Sequence, residues 1–552
     1  MPAVLSGVGV SAGVAAGPVA RMAPPPQIPH DVPNSGDPAA ESSAAHEALE
    51  AVASQLEARA ARAVEQGAGV LAAQAMMARD PGLADKVSAA TAAGRAAVLA
   101  VMDAFGDYRA MLAAAGSYMA ERVADLDDLA SRTVAVLLGV PMPGVPDPGH
   151  PYVLVADDLA PADTATLDPA SVLAIITERG GPTSHTAILA KSLGIPAVVA
   201  CVEATMLVDG QRVLVDGGDG RVTVDPDDAT VNRALAEQEA RATASRSVSG
   251  PGRTVDGRPV QLLVNIGGDR DLAPAAAADS EGVGLFRTEF LFLDRPEAPT
   301  RDEQQTVYRR VFDAFTGRKV VVRTLDAGAD KPLGFVTTPD EPNPALGVRG
   351  LRTARRHPDL LETQLGAVAA AAKDSGTDVW VMAPMVSTPA EAAEFAEMVH
   401  GNGLPVAGVM VEVPAAALRA HDVAAKCDFL SLGTNDLSQY TYAADRMAGE
   451  LADLLDPWQP ALLELVRLAA EGGREAGVPV GVCGEAASDP LLALVLVGLG
   501  VTSLSMAPVS IPPVRVALAL HTFAECRGLA ALALDAADGR AGRAAVRDAT
   551  RG

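Results

Sequence analysis

Eight short apolar runs between residues 253 and 552 constrain the fold more than any other feature of the sequence. They occupy residues 260–266, 282–286, 320–323, 379–382, 406–413, 428–432, 478–482 and 501–504. Each has the length and composition of a strand buried on both faces, and most are joined by segments long enough for a helix. Eight such units in succession predict a (β/α)8 barrel. In barrels of this kind, reactive groups gather at the carboxyl ends of the strands. Five of the eight runs end in that way: Arg287, Arg323, Glu412, the pair Asn435-Asp436, and Cys483 stand at or just past the end of a run. One arginine or one carboxylate in such a place is more often half of an ion pair. Five together describe a site.

The chemistry of the five is coherent. Arg287 and Arg323 present planar cationic forks suited to phosphate and carboxylate. Glu412 and Asp436 are hard oxygen ligands suited to Mg2+, which keeps part of its shell for substrate oxygens. An arginine and magnesium clamp suits phosphoryl transfer, where charge spreads over the phosphoryl oxygens. Cys483 ends an apolar strand. It reads either as a small core residue or as a proton donor to a substrate carbon.

Ahead of the barrel, residues 1–22 are Gly- and Val-rich and read as one or two short strands. Residues 152–225 alternate β-rich runs with one helical pattern. Twenty-two residues are too few to fold alone, so residues 1–22 and 145–225 are predicted to form one α/β domain. Residues 23–144 then make an inserted helical bundle, Ala-rich, with Leu49, Val52 and Leu56, then Val87, Val98, Leu99 and Met102, at helical spacing. Asp80-Pro81-Gly82 breaks that pattern, and Gly106 and Gly116 are further candidate breaks. Residues 226–252 read as a polar linker helix followed by a Ser/Gly/Pro hinge. The class is therefore α/β multidomain.

Within the α/β domain stands Gly180-Gly181-Pro182-Thr183-Ser184-His185-Thr186. The glycines permit a tight turn, and Thr183 or Ser184 can cap a helix whose apolar face is Ile188, Leu189 and Leu193. That puts His185 in the first turn, where free N–H groups and the helix dipole favour a phosphate. A lone histidine at a helix start usually has no chemical role; the full run is much less ordinary.

The net charge of −25 argues against nucleic acid and anionic membranes as main partners. No apolar run reaches the roughly 18 residues of a membrane span, and no basic-then-apolar leader opens the chain, so a cytoplasmic protein without membrane insertion is expected. Cys201, Cys427, Cys483 and Cys526 are far apart, which predicts reduced thiols and no structural zinc.

These motifs resemble Enzyme I of the sugar phosphotransferase system, the phosphoenolpyruvate–protein phosphotransferase family, over essentially the whole chain. The matching runs are 180–186, Gly284-Leu285-Phe286-Arg287-Thr288-Glu289-Phe290, Arg323-Thr324-Leu325-Asp326, Gly433-Thr434-Asn435-Asp436-Leu437 with Arg446 following, and Gly481-Val482-Cys483-Gly484-Glu485. The resemblance implies a swivelling phosphohistidine domain in which His185 is phosphorylated at Nε2. It assigns phosphoenolpyruvate binding to Arg287, Arg323, Lys331, Asn435, Asp436 and Arg446, and Mg2+ to Glu412 and Asp436. It makes Cys483 the proton donor that yields pyruvate, the bundle the docking site of the carrier protein HPr, and the barrel the homodimer contact. Many members carry Arg where this chain has Pro182. The related pyruvate phosphate dikinases and phosphoenolpyruvate synthases need an ATP-binding domain, and no Gly-rich nucleotide motif precedes the histidine domain here. A phosphoprotein that only regulates would tolerate degenerate residues at the barrel mouth, and these are intact.

Overall fold

The computed structural model describes residues 3–551 apart from 24–25, 30–31, 33, 62–64, 115–119, 160–166, 182–183, 294, 328–332, 338–340, 342, 447 and 449–450. It divides into two compact units, Met1–Gln238 with Met447–Asp453, and Glu239–Arg446 with Leu454–Gly552.

The first unit holds β1 (Val4–Ser6), β2 (Val8–Ser11), β3 (Val14–Arg21), β4 (Tyr152–Ala156), β5 (Val172–Thr177), β6 (Ala197–Val199), β7 (Arg212–Asp216) and β8 (Arg221–Val224). They form one sheet in the order β1-β8-β7-β3-β4-β5-β6-β2. The amino-terminal segment makes three strands where the sequence suggests one or two. Gly7 and Gly13 divide it, Gly13 with φ +137°. Strands β1 and β2 are separated by one residue yet lie at opposite edges, so the sheet curls until its edges meet at Gly7. Two apolar clusters fill its two sides.

Between β3 and β4 run α1 (Pro38–Ala60), α2 (Glu65–Ala78), α3 (Pro81–Ala92), α4 (Ala97–Ala114) and α5 (Ala120–Leu138). Asp80 starts α3 by accepting the Leu83 N–H at 3.0 Å, with Pro81 in the first turn, where its missing donor costs nothing. Gly106 does not break a helix: α4 runs through it, held by the buried Val98, Val101, Ala104 and Phe105. That apolar stripe offsets the roughly 1 kcal/mol a mid-helix glycine costs. Gly116 lies outside the described residues. Leu49, Val52, Leu56, Val87 and Val98 join the bundle core, whereas Met102 falls off the stripe and is exposed.

The second unit is a closed barrel of parallel strands, β9 (Gln261–Ile266), β10 (Gly282–Phe286), β11 (Lys319–Arg323), β12 (Asp378–Ala383), β13 (Val406–Val411), β14 (Phe429–Leu432), β15 (Val480–Val482) and β16 (Ser503–Met506). β16 pairs with β9 to complete the ring. The eight runs read from the sequence are these eight strands, with ends differing by at most two residues. A large core packs the strands against the outer helices, and a smaller one, including Leu285, Met382, Met410 and Cys483, lies inside the barrel. Capping boxes at Thr300–Glu303, Thr388–Glu391 and Thr522–Glu525 fix three outer-helix starts, each contributing about 1 kcal/mol. Among the described residues, no single helix is long and apolar enough to cross a membrane.

Candidate active site

The carboxyl ends of the barrel strands carry a buried network of alternating charge. Arg323, the last residue of β11, is 7% exposed. Its guanidinium meets Glu289 at 2.9 Å, Asp326 at 3.2 Å and Glu412 at 3.8 Å. Arg349, 4% exposed, bridges Asp326 at 3.1 Å and Asp436 at 3.0 Å and donates to the Tyr440 hydroxyl at 3.3 Å. Burial opposes the charge of both arginines. The surrounding carboxylates outweigh it, so both are held above the ordinary guanidinium range. The backbone is knitted into the same network. Asp326 N–H donates to Glu289 at 3.1 Å, and Thr288 donates to the Arg323 carbonyl at 2.9 Å.

Glu412 follows β13 and is 1% exposed. It accepts the Met385 N–H at 2.9 Å, and Met385 reaches it with φ +61°, a conformation uncommon for a side chain of that size. Burial first, then Asp436 and Asp326, push the Glu412 carboxyl up to about 8. A buried carboxyl pushed up beside a second carboxylate fits a divalent cation, which would favour its charged form. Among the described residues no three His, Cys, Asp or Glu side chains are grouped to hold a metal. A two-carboxylate set leaves the other positions to water and substrate, as Mg2+ prefers.

Asn435 and Asp436 lie in the first turn of the helix Thr434–Tyr442, Asn435 half-buried and Asp436 buried. Arg446 approaches Asp436 at 3.8 Å, and its N–H donates to Gln439 at 3.1 Å. Arg287 is exposed just past β10, with its N–H bonded to the Ile266 carbonyl at 2.9 Å. Several buried polar atoms here lack a partner among the described residues: Glu289 Oε2, the Nε of Arg323 and of Arg349, and the Thr434 hydroxyl. Of these, the two Nε–H groups and the Thr434 hydroxyl are donors available to a bound oxyanion. Cys483, 2% exposed, accepts the Ser431 hydroxyl at 3.2 Å, and burial pushes its thiol up to about 11. It therefore rests protonated. Lys331 lies outside the described residues.

In the first unit, the helix His185–Leu193 begins where the sequence places it. Ser184 is its cap and accepts the Ala187 N–H at 3.2 Å; Gly180 has φ +96° in the turn before it. His185 is the first helical residue, and Leu189 and Leu193 pack on the sheet.

The profile of PEP-utilising enzymes, PEP-binding domain, matches residues 241–523, the mobile-domain profile residues 148–220, and the N-terminal profile residues 6–122. A phosphoenolpyruvate-protein phosphotransferase of Streptomyces coelicolor is 55% identical over 97% of this chain and 96% of its own. The chain belongs to the Enzyme I family. Enzymes with the same description in Haloferax volcanii and Bacillus subtilis are 41% and 36% identical, over 86% and 93% of this chain and the same shares of their own.

Members of the Enzyme I family are phosphotransferases with a nitrogenous acceptor, and the barrel mouth of this Enzyme I chain brings together most of the residues picked from sequence. Arg323, Glu412, Asp436 and Arg446 share one network, and Cys483 lies close enough for its charge balance to sense Glu412, Arg323 and Arg287. Sequence reasoning missed Arg349, and assigned no role to Glu289 or Asp326. Arg349 follows no strand; it lies in a loop beyond β11. Glu289 and Asp326 each sit three residues past a strand end, inside motifs already singled out, and that spacing was the available signal.

Proposed function

We propose that this chain takes the phosphoryl group of phosphoenolpyruvate onto His185 and passes it to the carrier protein HPr, the first step of the sugar phosphotransferase system, with release of pyruvate. The observation that carries the reading is the mouth network, where two buried arginines are set among four carboxylates and a protonated thiol. A structural ion-pair cluster would need neither the unpartnered Nε groups nor the cysteine.

Arg287, Arg323 and Arg446, with Lys331 and Asn435, receive the phosphate and carboxylate of the substrate. Glu412 and Asp436 hold Mg2+, and Arg349 keeps Asp436 in place. When bound, Mg2+ neutralises charge on the phosphoryl oxygens. Neutral His185 attacks phosphorus through Nε2 and enolpyruvate leaves. Cys483 gives its proton to the enolate carbon. Its high thiol pKa suits it to this, because it is fully protonated at neutral pH. The segment 226–252 acts as the hinge that lets the phosphohistidine domain, residues 1–22 with 145–225, serve two partners. The bundle, residues 23–144, receives HPr, and the barrel, residues 253–552, pairs with a second copy in a cytoplasmic homodimer.

The test is labelling with 32P-phosphoenolpyruvate and Mg2+. The protein gains acid-labile phosphate, and His185→Ala binds phosphoenolpyruvate but gains none. A His185→Ala protein that labels normally refutes the assignment.

A further inference from the structure

The barrel is not filled behind Cys483. A cavity runs inside it from Cys483 and Ser431, near the carboxyl ends of β15 and β14, to Lys319, Trp380, Phe429 and Ser503 towards the amino ends of β11, β12, β14 and β16. Glycines keep it open. A Cβ on Gly481 would come within 2.5 Å of the Ser503 hydroxyl. Barrel interiors of this kind are normally packed in layers of branched side chains. Here Ser431 and Ser503 line the space with hydroxyls, and Lys319 stands at its far end, its ammonium 3.9 Å from the centre of the Trp380 ring. The rest of the lining is mostly apolar, Leu263, Val321, Trp380, Phe429 and Leu430 among it, and the space is small, about 20 Å³, so it has room for water only beside the hydroxyls.

The cavity touches the thiol through one polar contact, the Ser431 hydroxyl at 3.2 Å from Sγ. The thiol itself is 2% exposed. If Cys483 protonates the enolate, each turnover leaves a buried thiolate that must recover a proton, and the substrate carbon occupies its mouth side.

We infer that Cys483 is reprotonated from behind, by Ser431 and water in this cavity, through the amino-terminal end of the barrel. The inference rests on the reading of Cys483 as the proton donor. In the forward step the S–H bond breaks and a C3–H bond forms, leaving the thiolate. Ser431 then passes its proton to sulfur and takes one from cavity water, and the hydroxide left behind takes a proton from solvent at the Lys319 end. The net transfer is one solvent proton to the methyl group of pyruvate. Ser431 is a relay residue, since it touches the reacting sulfur and not the substrate.

One experiment on the full chain separates this route from the mouth. Protein, Mg2+, phosphoenolpyruvate and 14C-pyruvate are mixed in D2O, and two exchanges are followed: carbon label into phosphoenolpyruvate and deuterium into the pyruvate methyl group. Carbon exchange needs no solvent proton, because the reverse step returns the methyl proton to sulfur. Deuterium entry requires the thiol to exchange with solvent. Ser431→Ala should retain carbon exchange while the ratio of deuterium to carbon exchange falls at least tenfold, and Ser431→Thr should restore it. Ser503→Leu, which fills the cavity far from the mouth, should lower the ratio with carbon exchange intact. An unchanged ratio in either Ser431→Ala or Ser503→Leu overturns the route. Cys483→Ala tells the two failures apart: if it keeps both exchanges at the normal ratio, the cysteine is not the donor and the reading beneath the route falls.

Discussion

Arg349 offers the sharpest test of the barrel mouth, because sequence motifs gave it no role and the structure gives it a central one. Arg349→Met keeps most of the side-chain length and removes the charge. It leaves Asp436 and Asp326 buried without their 3.0 Å and 3.1 Å partner. Breaking a buried pair from one side costs about 3–5 kcal/mol. Arg323 still reaches Asp326 at 3.2 Å and Arg446 is 3.8 Å from Asp436, so the lower end, about 3 kcal/mol, is expected. At roughly 2 °C per kcal/mol for a unit of this size, the barrel should melt about 6 °C lower. Tryptophan fluorescence reads this cleanly, because the chain's two tryptophans, Trp380 and Trp458, both lie in the barrel. Asp326→Asn in the same background removes one stranded charge and should recover about 1 kcal/mol, since Arg323 keeps Glu289 and Glu412. A variant that melts within about 1 °C of the parent would refute the network as a set of mutually dependent charges.

Three further outcomes follow from the same geometry. Glu412 has a folded pKa of about 8 against an unfolded value near ~4.3, so the folded state binds the extra proton. Its stabilising contribution is therefore complete below the unfolded value and is lost as pH rises through about 8, with a slope of up to ~1.4 kcal/mol per pH unit. Denaturation from pH 5 to 9 should show that slope in the parent and not in Glu412→Gln, and Mg2+ at pH 8 should restabilise only the parent. An alanine Cβ at Gly433 would lie 2.6 Å from the Glu412 carboxylate, so Gly433→Ala should cost about 1–3 kcal/mol of barrel stability and at least tenfold in labelling rate. Equal rates would show that the position of Glu412 is unimportant. All four cysteines are free, and burial raises the thiol pKa of each. The native protein should present no fast-reacting thiol to a disulfide reagent at pH 7.5 and four in urea; a fast native thiol that disappears in Cys483→Ala would contradict its burial.

What the sequence makes legible follows the range of the interaction involved. Strand positions depend on composition within a few residues, and β10 runs from 282 to 286 in both readings. The barrel follows from repetition of that local signal, because parallel strands joined by helices admit few other closures. Helix ends set by local chemistry are legible too: Asp80-Pro81 starts a helix, and Ser184 caps the one that begins at His185. Gly106 shows the limit. Its local propensity argues for a break, but the packing of Val101 and Phe105 on the rest of the bundle decides otherwise. The site divides in the same way. Residues at strand ends can be picked out because the fold assigns them a common end of the barrel. Arg349 cannot, since what matters is that a loop beyond β11 carries it to Asp436, 87 positions further along. Nor does any motif announce the cavity behind Cys483, where Gly481 on β15 leaves room beside Ser503, its partner on the neighbouring β16. Burial then changes the meaning of residues that are legible. Arg323 is chosen from sequence as a phosphate fork, and in the folded chain it is also the counter-ion that allows three carboxylates to share a dry space. On the proposed function the same guanidinium serves both substrate and scaffold, so Arg323→Lys should fail in both respects: one ammonium cannot reproduce a planar fork that spans Glu289, Asp326 and Glu412 at once.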